Sequence, residues 1–216
     1  MLTALSALPA AAAGPTFIEG RDYFTLKQPQ RTNVAPGKIE VLEVFSYGCP
    51  ACNGFQPTWE QLKKSLPANA QVAYLPAAFN KAEDFPMFQR AYFAAQALGI
   101  AERTHQRMFD AVWKTRELAT SDPETHRLKE PQPTIEDAAR LYARWTGVKA
   151  EDFLAMARSF TVDGRMRAAD EQILTMQVPS TPCIIVNGRY RIGEDVRSLG
   201  QLVPLVSFLV QKDSPH

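Results

Sequence analysis

The 216-residue sequence predicts an α/β fold interrupted by a block of helices. Three observations predict it. Residues 38–75 read as strand, helix, strand; from Phe85 to about Met176 only helical periodicity is found; and after Met176 short β-branched runs return on either side of Asn187-Gly188.

The elements follow in chain order. Lys-Ile-Glu-Val-Leu-Glu-Val-Phe-Ser at 38–46 is an apolar run entered through Pro36-Gly37 and reads as a largely buried strand. Pro50 stands where a first-turn proline would, and Phe55, Trp59, Leu62 and Leu66 recur at helical spacing until Pro67 ends the stripe. Gln71 to Leu75 makes a second strand, and such a unit within about forty residues is a right-handed βαβ crossover with parallel strands. Phe88, Tyr92, Ala95 and Leu98 form the next stripe, stopped by Gly99, and Met108, Phe109, Val112 and Trp113 form another. The polar, proline-containing stretch from Thr115 to Pro133 reads as a surface loop. Thr134 with Asp137 approximates a capping box, Ala138, Leu141, Tyr142 and Trp145 carry the apolar face behind it, and Gly147 ends that helix. Phe153, Leu154, Ala157 and Phe160 suggest a short helix, and Val162, Met166, Ala169, Ile173 and Met176 a longer one running back toward the sheet. Cys183–Val186 and Arg189–Ile192 flank Asn187-Gly188 as a hairpin. Leu199 to Val210 closes the chain as a helix, with Pro204 in or near its first turn. The main domain is therefore expected at 17–83 and 170–213, with the helical insertion at 84–169.

Composition bounds the function. Hydrophobic residues at 45% and charged residues at 22% exclude a disordered chain, collagen and a coiled-coil array. A chain of this size buries about 70% of its surface, so no disulfide or metal is needed to hold the fold. A formal net charge of +1 gives no electrostatic reason for nucleic acid or an anionic membrane as partner. Residues 1–16 are apolar and rich in small residues, too short for a membrane span, with Ala11 and Ala13 at the spacing signal peptidase prefers. No Lys or Arg precedes Arg21, so the segment reads as a shortened export signal or, alternatively, as an Ala-rich tail. The mature protein is expected to be soluble.

Three cysteines in a chain that needs no staple point to chemistry. Cys49-Pro50-Ala51-Cys52 lies where the first strand gives way to the first helix. A sulfur at a helix N-terminus sits beside unpaired N–H groups and the positive end of the macrodipole, which favour the thiolate. That makes Cys49 the exposed attacking or attacked sulfur and Cys52 the shielded, resolving one. Half a zinc site or two structural thiols are the alternatives, but no second Cys-x-x-Cys or His pair at ligand spacing exists. Glu43 interrupts an apolar strand, and its parity matches Val41 and Phe45, so it is expected inside the core unless it turns to solvent at the strand end. Val178-Pro179-Ser180-Thr181-Pro182 precedes the hairpin, where a fixed turn or a cis bond is common.

Glu-Val-Leu-Glu-Val-Phe-Ser-Tyr-Gly-Cys-Pro-Ala-Cys at 40–52 and Val-Pro-Ser-Thr-Pro-Cys-Ile-Ile-Val-Asn-Gly-Arg-Tyr at 178–190 resemble the DsbA-type periplasmic thiol:disulfide oxidoreductases of the thioredoxin superfamily. The resemblance covers nearly everything beyond about residue 18. It implies a thioredoxin fold with an inserted helical domain and a cis Thr181-Pro182 facing the active disulfide, with the Thr181 backbone pairing to an extended substrate peptide. It also implies that Glu43 lies beneath the site and moves protons for Cys52. Reduced exported polypeptides are the implied substrates and a DsbB-type membrane oxidase the reoxidant. No cofactor or metal is implied. A monomer is expected, because isomerases of this fold dimerise through a separate region and none precedes residue 20. Reductase or isomerase activity, or a peptide or metal chaperone on the same fold, are the rival readings.

Two positions depart from the pattern or exceed it. Strongly oxidising members commonly carry His before the second cysteine, and Ala51 stands there, which predicts an attenuated oxidant. Cys183 follows Pro182, either as a thiol near Cys49 or, as we favour, as a small buried apolar residue. His105, His126 and His216 have no catalytic partner at readable spacing and receive no role.

Overall fold

The computed structural model describes residues 16–82, 84–125 and 127–214, so the expected export segment, His126 and His216 lie outside the described residues, apart from Thr16. A five-stranded sheet is built from β1 (Tyr23–Thr25), β2 (Ile39–Phe45), β3 (Ala70–Pro76), β4 (Cys183–Val186) and β5 (Tyr190–Ile192) in the order β1-β5-β4-β2-β3. β2 and β3 are parallel, while β2–β4, β4–β5 and β5–β1 are antiparallel. The crossover between the parallel pair is α1 (Pro50–Ser65), as the 38–75 pattern predicts.

β1 was not expected. Three residues carry no readable alternation, and they are extended because Tyr23, Phe24 and Thr25 pair with Ile192, Arg191 and Tyr190 of β5. The hairpin joining β4 and β5 turns through Asn187 and Gly188, both at positive φ (48° and 59°), the geometry of a type I′ turn. A Cβ on Gly188 would lie 2.3 Å from the Gln30 carbonyl oxygen, so glycine is required there twice over.

The helical block comprises α2 (Phe85–Ala97), α3 (Ala101–Trp113), α4 (Ile135–Thr146), α5 (Ala150–Ala157) and α6 (Phe160–Thr175), and α7 (Leu199–Lys212) closes the fold. The capping box at α4 is complete: Thr134 accepts from the Asp137 amide, the Asp137 carboxylate accepts from the Thr134 amide, and Gly147 ends the helix at φ 78°. Phe160 is not part of the preceding stripe. It is the first residue of α6 and is 92% exposed, because Ser159 caps a new helix by accepting from the Val162 amide. Pro204 is the sixth residue of α7, one turn later than expected. Among the described residues from Thr115 to Pro133 there is no helix or strand beyond an isolated Ser121–Leu128 bridge, yet Leu118 and Ala119 are buried and anchor the loop.

Two apolar layers sandwich the sheet. Ile39, Val41, Ile184 and Val186 face Trp59 and Leu62 of α1 and Leu202, Leu205 and Leu209 of α7. Leu42, Val44 and Ile185 face the helical block, with Phe88, Tyr92 and Ile173 among the contacts. Phe45, last in β2, departs from the parity of Val41 and packs against the rings of Tyr47, Tyr92 and Phe109. The C-terminal end of β2 therefore meets both α1 and the helical block. Among the described residues no helix is long and apolar enough to cross a membrane.

Candidate active site

The end of β2 delivers Ser46, Tyr47 and Gly48 into Cys49, which caps α1 with Pro50 in its first turn. The cap is the sulfur itself: Cys49 Sγ accepts from the Cys52 amide at 3.4 Å. This is the N-cap arrangement that satisfies an orphan helix donor, here with a thiol in place of a hydroxyl. The Cys49 thiol also donates to the Thr181 carbonyl at 3.5 Å. The Thr181–Pro182 peptide is cis, and the Cys49–Thr181 contact sets the turn entering β4 against the start of α1. Pro50 and Ala51 are exposed around it.

The two sulfurs sit in opposite electrostatic environments. Cys49 is 7% exposed, and its thiol is lowered to about 6. The chief cause is a hydrogen bond from the Cys52 side chain, opposed by burial and helped by hydrogen bonds with Thr181 and with the Cys52 and Ala51 amides. Cys52 is fully buried, and that burial pushes its thiol well above the ordinary range. The hydrogen bond with the Cys49 side chain and the negative charge of a Cys49 thiolate push it the same way, any ionised fraction of Glu43 adds to this, and the Ser46 amide opposes them.

Glu43 lies in the core, as its parity predicts, and is fully buried. Its Oε1 accepts from Gln56 Nε2 at 3.4 Å, while Oε2 has no hydrogen-bond partner among the described residues. Burial pushes the carboxyl well above the carboxylate range; Lys63 pulls the other way, and Glu60 and Cys49 add to the rise. Burial thus favours the protonated form of Glu43, which lies within electrostatic reach of both sulfurs. Lys63 donates to Glu60 at 2.8 Å and to the Tyr74 hydroxyl at 3.3 Å, and Tyr74 is the register partner of Glu43 on β3.

Cys49, Cys52, Glu43, Thr181 and Pro182 therefore converge from β2, α1 and the β4 turn. Cys183 behaves as a small buried residue: it is 8% exposed, pairs with Val44 across the sheet, and burial pushes its thiol to about 12. His105, to which sequence spacing assigned no partner, is buried with Nδ1 3.0 Å from the Tyr47 hydroxyl. Ser46, Gln56 and Trp113 complete the surroundings, and local sequence carried no signal for them.

The chain as a whole is similar to known proteins. Residues 35–202 match the thioredoxin family model. The thiol:disulfide interchange protein DsbA of Pseudomonas aeruginosa is 30% identical over 216 residues, covering 99% of this chain and 93% of that protein. The Burkholderia cepacia DsbA is 30% identical over 207 residues, covering 95% and 88%. Among solved structures, the oxidoreductase DsbA of Xylella fastidiosa superposes with a TM-score of 0.76 at 28% identity, covering 92% of this chain and 97% of its own. A variant of the Pseudomonas aeruginosa DsbA gives 0.76 at 29% identity, covering 92% and 98%.

Proposed function

The chain belongs to the thioredoxin family and, within it, to the DsbA thiol:disulfide interchange proteins, and on that premise we propose that Cys49 and Cys52 form the disulfide it exchanges. The observation that carries the assignment is the unequal pair: one thiol at the helix N-cap lowered to about 6, the other buried beneath it and raised.

The exchange runs as follows. A substrate thiolate attacks Cys49 Sγ, the only sulfur of the pair with any exposure, and the Cys49–Cys52 bond breaks with its electrons on Cys52. Cys52, in a site that disfavours its anion, takes the proton that Glu43 holds. A second substrate thiolate then attacks the substrate sulfur of the mixed disulfide and releases Cys49 as a thiolate, which its low pKa makes a good leaving group. Substrate gains the disulfide and the protein is left reduced. The Thr181 backbone, beside Cys49, pairs with the substrate chain, and Pro182 fixes that turn. Pro50 and Ala51 form the exposed rim over which substrate approaches.

Reduced polypeptides exported to the periplasm are the substrates, a DsbB-type membrane oxidase regenerates the disulfide, and the protein works there as a monomer. Residues 17–83 and 170–213 form the redox domain, and 84–169 the insertion that flanks it. Oxidation rather than reduction is favoured by the thiol value of about 6, below the reference of about 7 for thioredoxin although above that of about 3.5 for a strongly oxidising DsbA.

Refolding of a reduced substrate with oxidised glutathione as terminal oxidant tests the proposal. Cys49→Ala is expected to abolish turnover, and Cys52→Ala, whose Cys49 is first oxidised by glutathione to its mixed disulfide, to accumulate a Cys49–substrate mixed disulfide with release of reduced glutathione. Full turnover by Cys49→Ala would overturn it.

A further inference from the structure

The segment that leads into Cys49 is gripped from outside the redox domain. Trp113, last residue of α3, donates its indole N–H to the Tyr47 carbonyl at 2.8 Å. His105, two turns earlier on α3, meets the Tyr47 hydroxyl at 3.0 Å. Both contacts span the insertion boundary. Tyr47 is 1% exposed, and the next residue, Gly48, is pressed by α2: a Cβ there would lie 3.0 Å from the Phe85 ring and 3.1 Å from Phe88.

What the grip holds is the backbone next to both sulfurs. The Ser46 carbonyl accepts from the Cys49 amide at 3.2 Å and the Ser46 hydroxyl accepts from the Gly48 amide at 3.2 Å, while the Ser46 backbone amide is what opposes the rise of the Cys52 thiol. A displacement of Tyr47 therefore moves donors that act on Cys52 and the backbone that sets Cys49 over the helix end. Trp113 is only half-buried, so water could satisfy its N–H, yet the N–H is turned inward onto this one carbonyl. His105 is enclosed by the rings of Phe45, Tyr74, Tyr92 and Phe109, and burial holds it down to about 3, so it stays neutral.

We infer that Trp113 and His105 are positioning residues for the redox pair: from α3 they fix Tyr47, and through it the Ser46–Cys49 segment, against both cysteines. The helical insertion then does more than flank the site; it sets the geometry on which the inequality of the two thiols depends. The inference rests on Cys49 as the attacking thiol, which Cys49→Ala tests separately, since that variant must erase the thiolate absorbance that appears near neutral pH.

The test uses the full chain in its reduced form. Trp113→Phe keeps a ring and removes the donor, and it is expected to raise the apparent pKa of Cys49 and to make the pair less oxidising against glutathione by roughly threefold, the scale of one lost hydrogen bond. Tyr47→Phe keeps the carbonyl and removes the hydroxyl, and it is expected to move both quantities in the same direction by less. Trp145→Phe, at a tryptophan of the insertion whose ring meets Tyr142 edge to face, serves as the control and is expected to move neither. A packing role alone would lower the melting temperature while leaving the thiol titration in place. Wild-type pKa and wild-type glutathione equilibrium in folded Trp113→Phe and Tyr47→Phe would overturn the inference; should Trp113→Phe not fold, the Tyr47→Phe result decides it.

Discussion

Replacing Ala51 by His tests how the active-site dipeptide sets oxidising power. Ala51 is exposed in the first turn of α1, and its amide is among the groups that hold the Cys49 thiol down, so a side chain there can reach the thiolate without disturbing the core. An imidazolium about 5 Å from the sulfur, at an effective dielectric of 20 to 40, contributes roughly 1.5 to 3 kcal/mol of attraction. That lowers the Cys49 pKa by about 1 to 2 units from its value of about 6. A more stable thiolate stabilises the reduced protein, so at neutral pH the exchange equilibrium shifts roughly ten- to hundredfold toward oxidising its partner, or about 30 to 60 mV. The assay is equilibration with glutathione at fixed ratios, read by tryptophan fluorescence or alkylation, with a parallel thiolate titration. The effect should weaken at high salt and above the pKa of the new histidine, where the attracting charge is lost. An unchanged potential together with an unchanged thiolate pKa would refute the reasoning that Ala51 is what attenuates this protein.

Glu43→Gln removes the proton store beneath Cys52 and is expected to slow formation of the mixed disulfide with a thiol peptide by about a hundredfold, measured by stopped-flow fluorescence. The same variant should be more stable than wild type at neutral pH. A buried carboxyl with a raised pKa retains a proton that the unfolded chain releases, so wild-type stability falls as pH rises above the ordinary glutamate range, and that fall should vanish in urea titrations of the variant. The reduced protein should show the opposite trend from Cys49. A thiol lowered to about 6 contributes stability that is fully present above the ordinary cysteine value and is lost as pH falls through about 6, a difference absent in Cys49→Ala. Thr134→Ala breaks the capping box of α4 and should cost about 1 kcal/mol in thermal unfolding while leaving the redox equilibrium untouched.

Much of the architecture was legible because its signals are local. β2, α1 and β3 each carry their own periodicity and boundary residues, and the Thr134–Asp137 box and Gly147 bracket α4 without help from the rest of the chain. The cysteine pair was legible because a helix start is itself the source of the thiolate stabilisation, and Glu43 because strand parity alone puts it inside. β1 was not legible, since Tyr23–Thr25 is extended only by pairing with residues about 165 positions later. Phe160 was misplaced because its spacing fits the stripe of α5 while Ser159 starts another helix. The grip on Tyr47 was hidden for the same reason as β1. His105 and Trp113 reach it across 58 and 66 residues, and nothing beside either residue records where α3 will pack.

The inequality of the two sulfurs can be measured in one experiment. Reduced native protein is pulsed with iodoacetamide across pH 4 to 10, and the modification of each cysteine is followed by peptide mass spectrometry. Cys49 is expected to react with a midpoint near 6, with Cys52 and Cys183 protected until the protein unfolds. Equal labelling of Cys49 and Cys52, or a Cys49 midpoint near the free-cysteine value of about 8.5, would contradict the account.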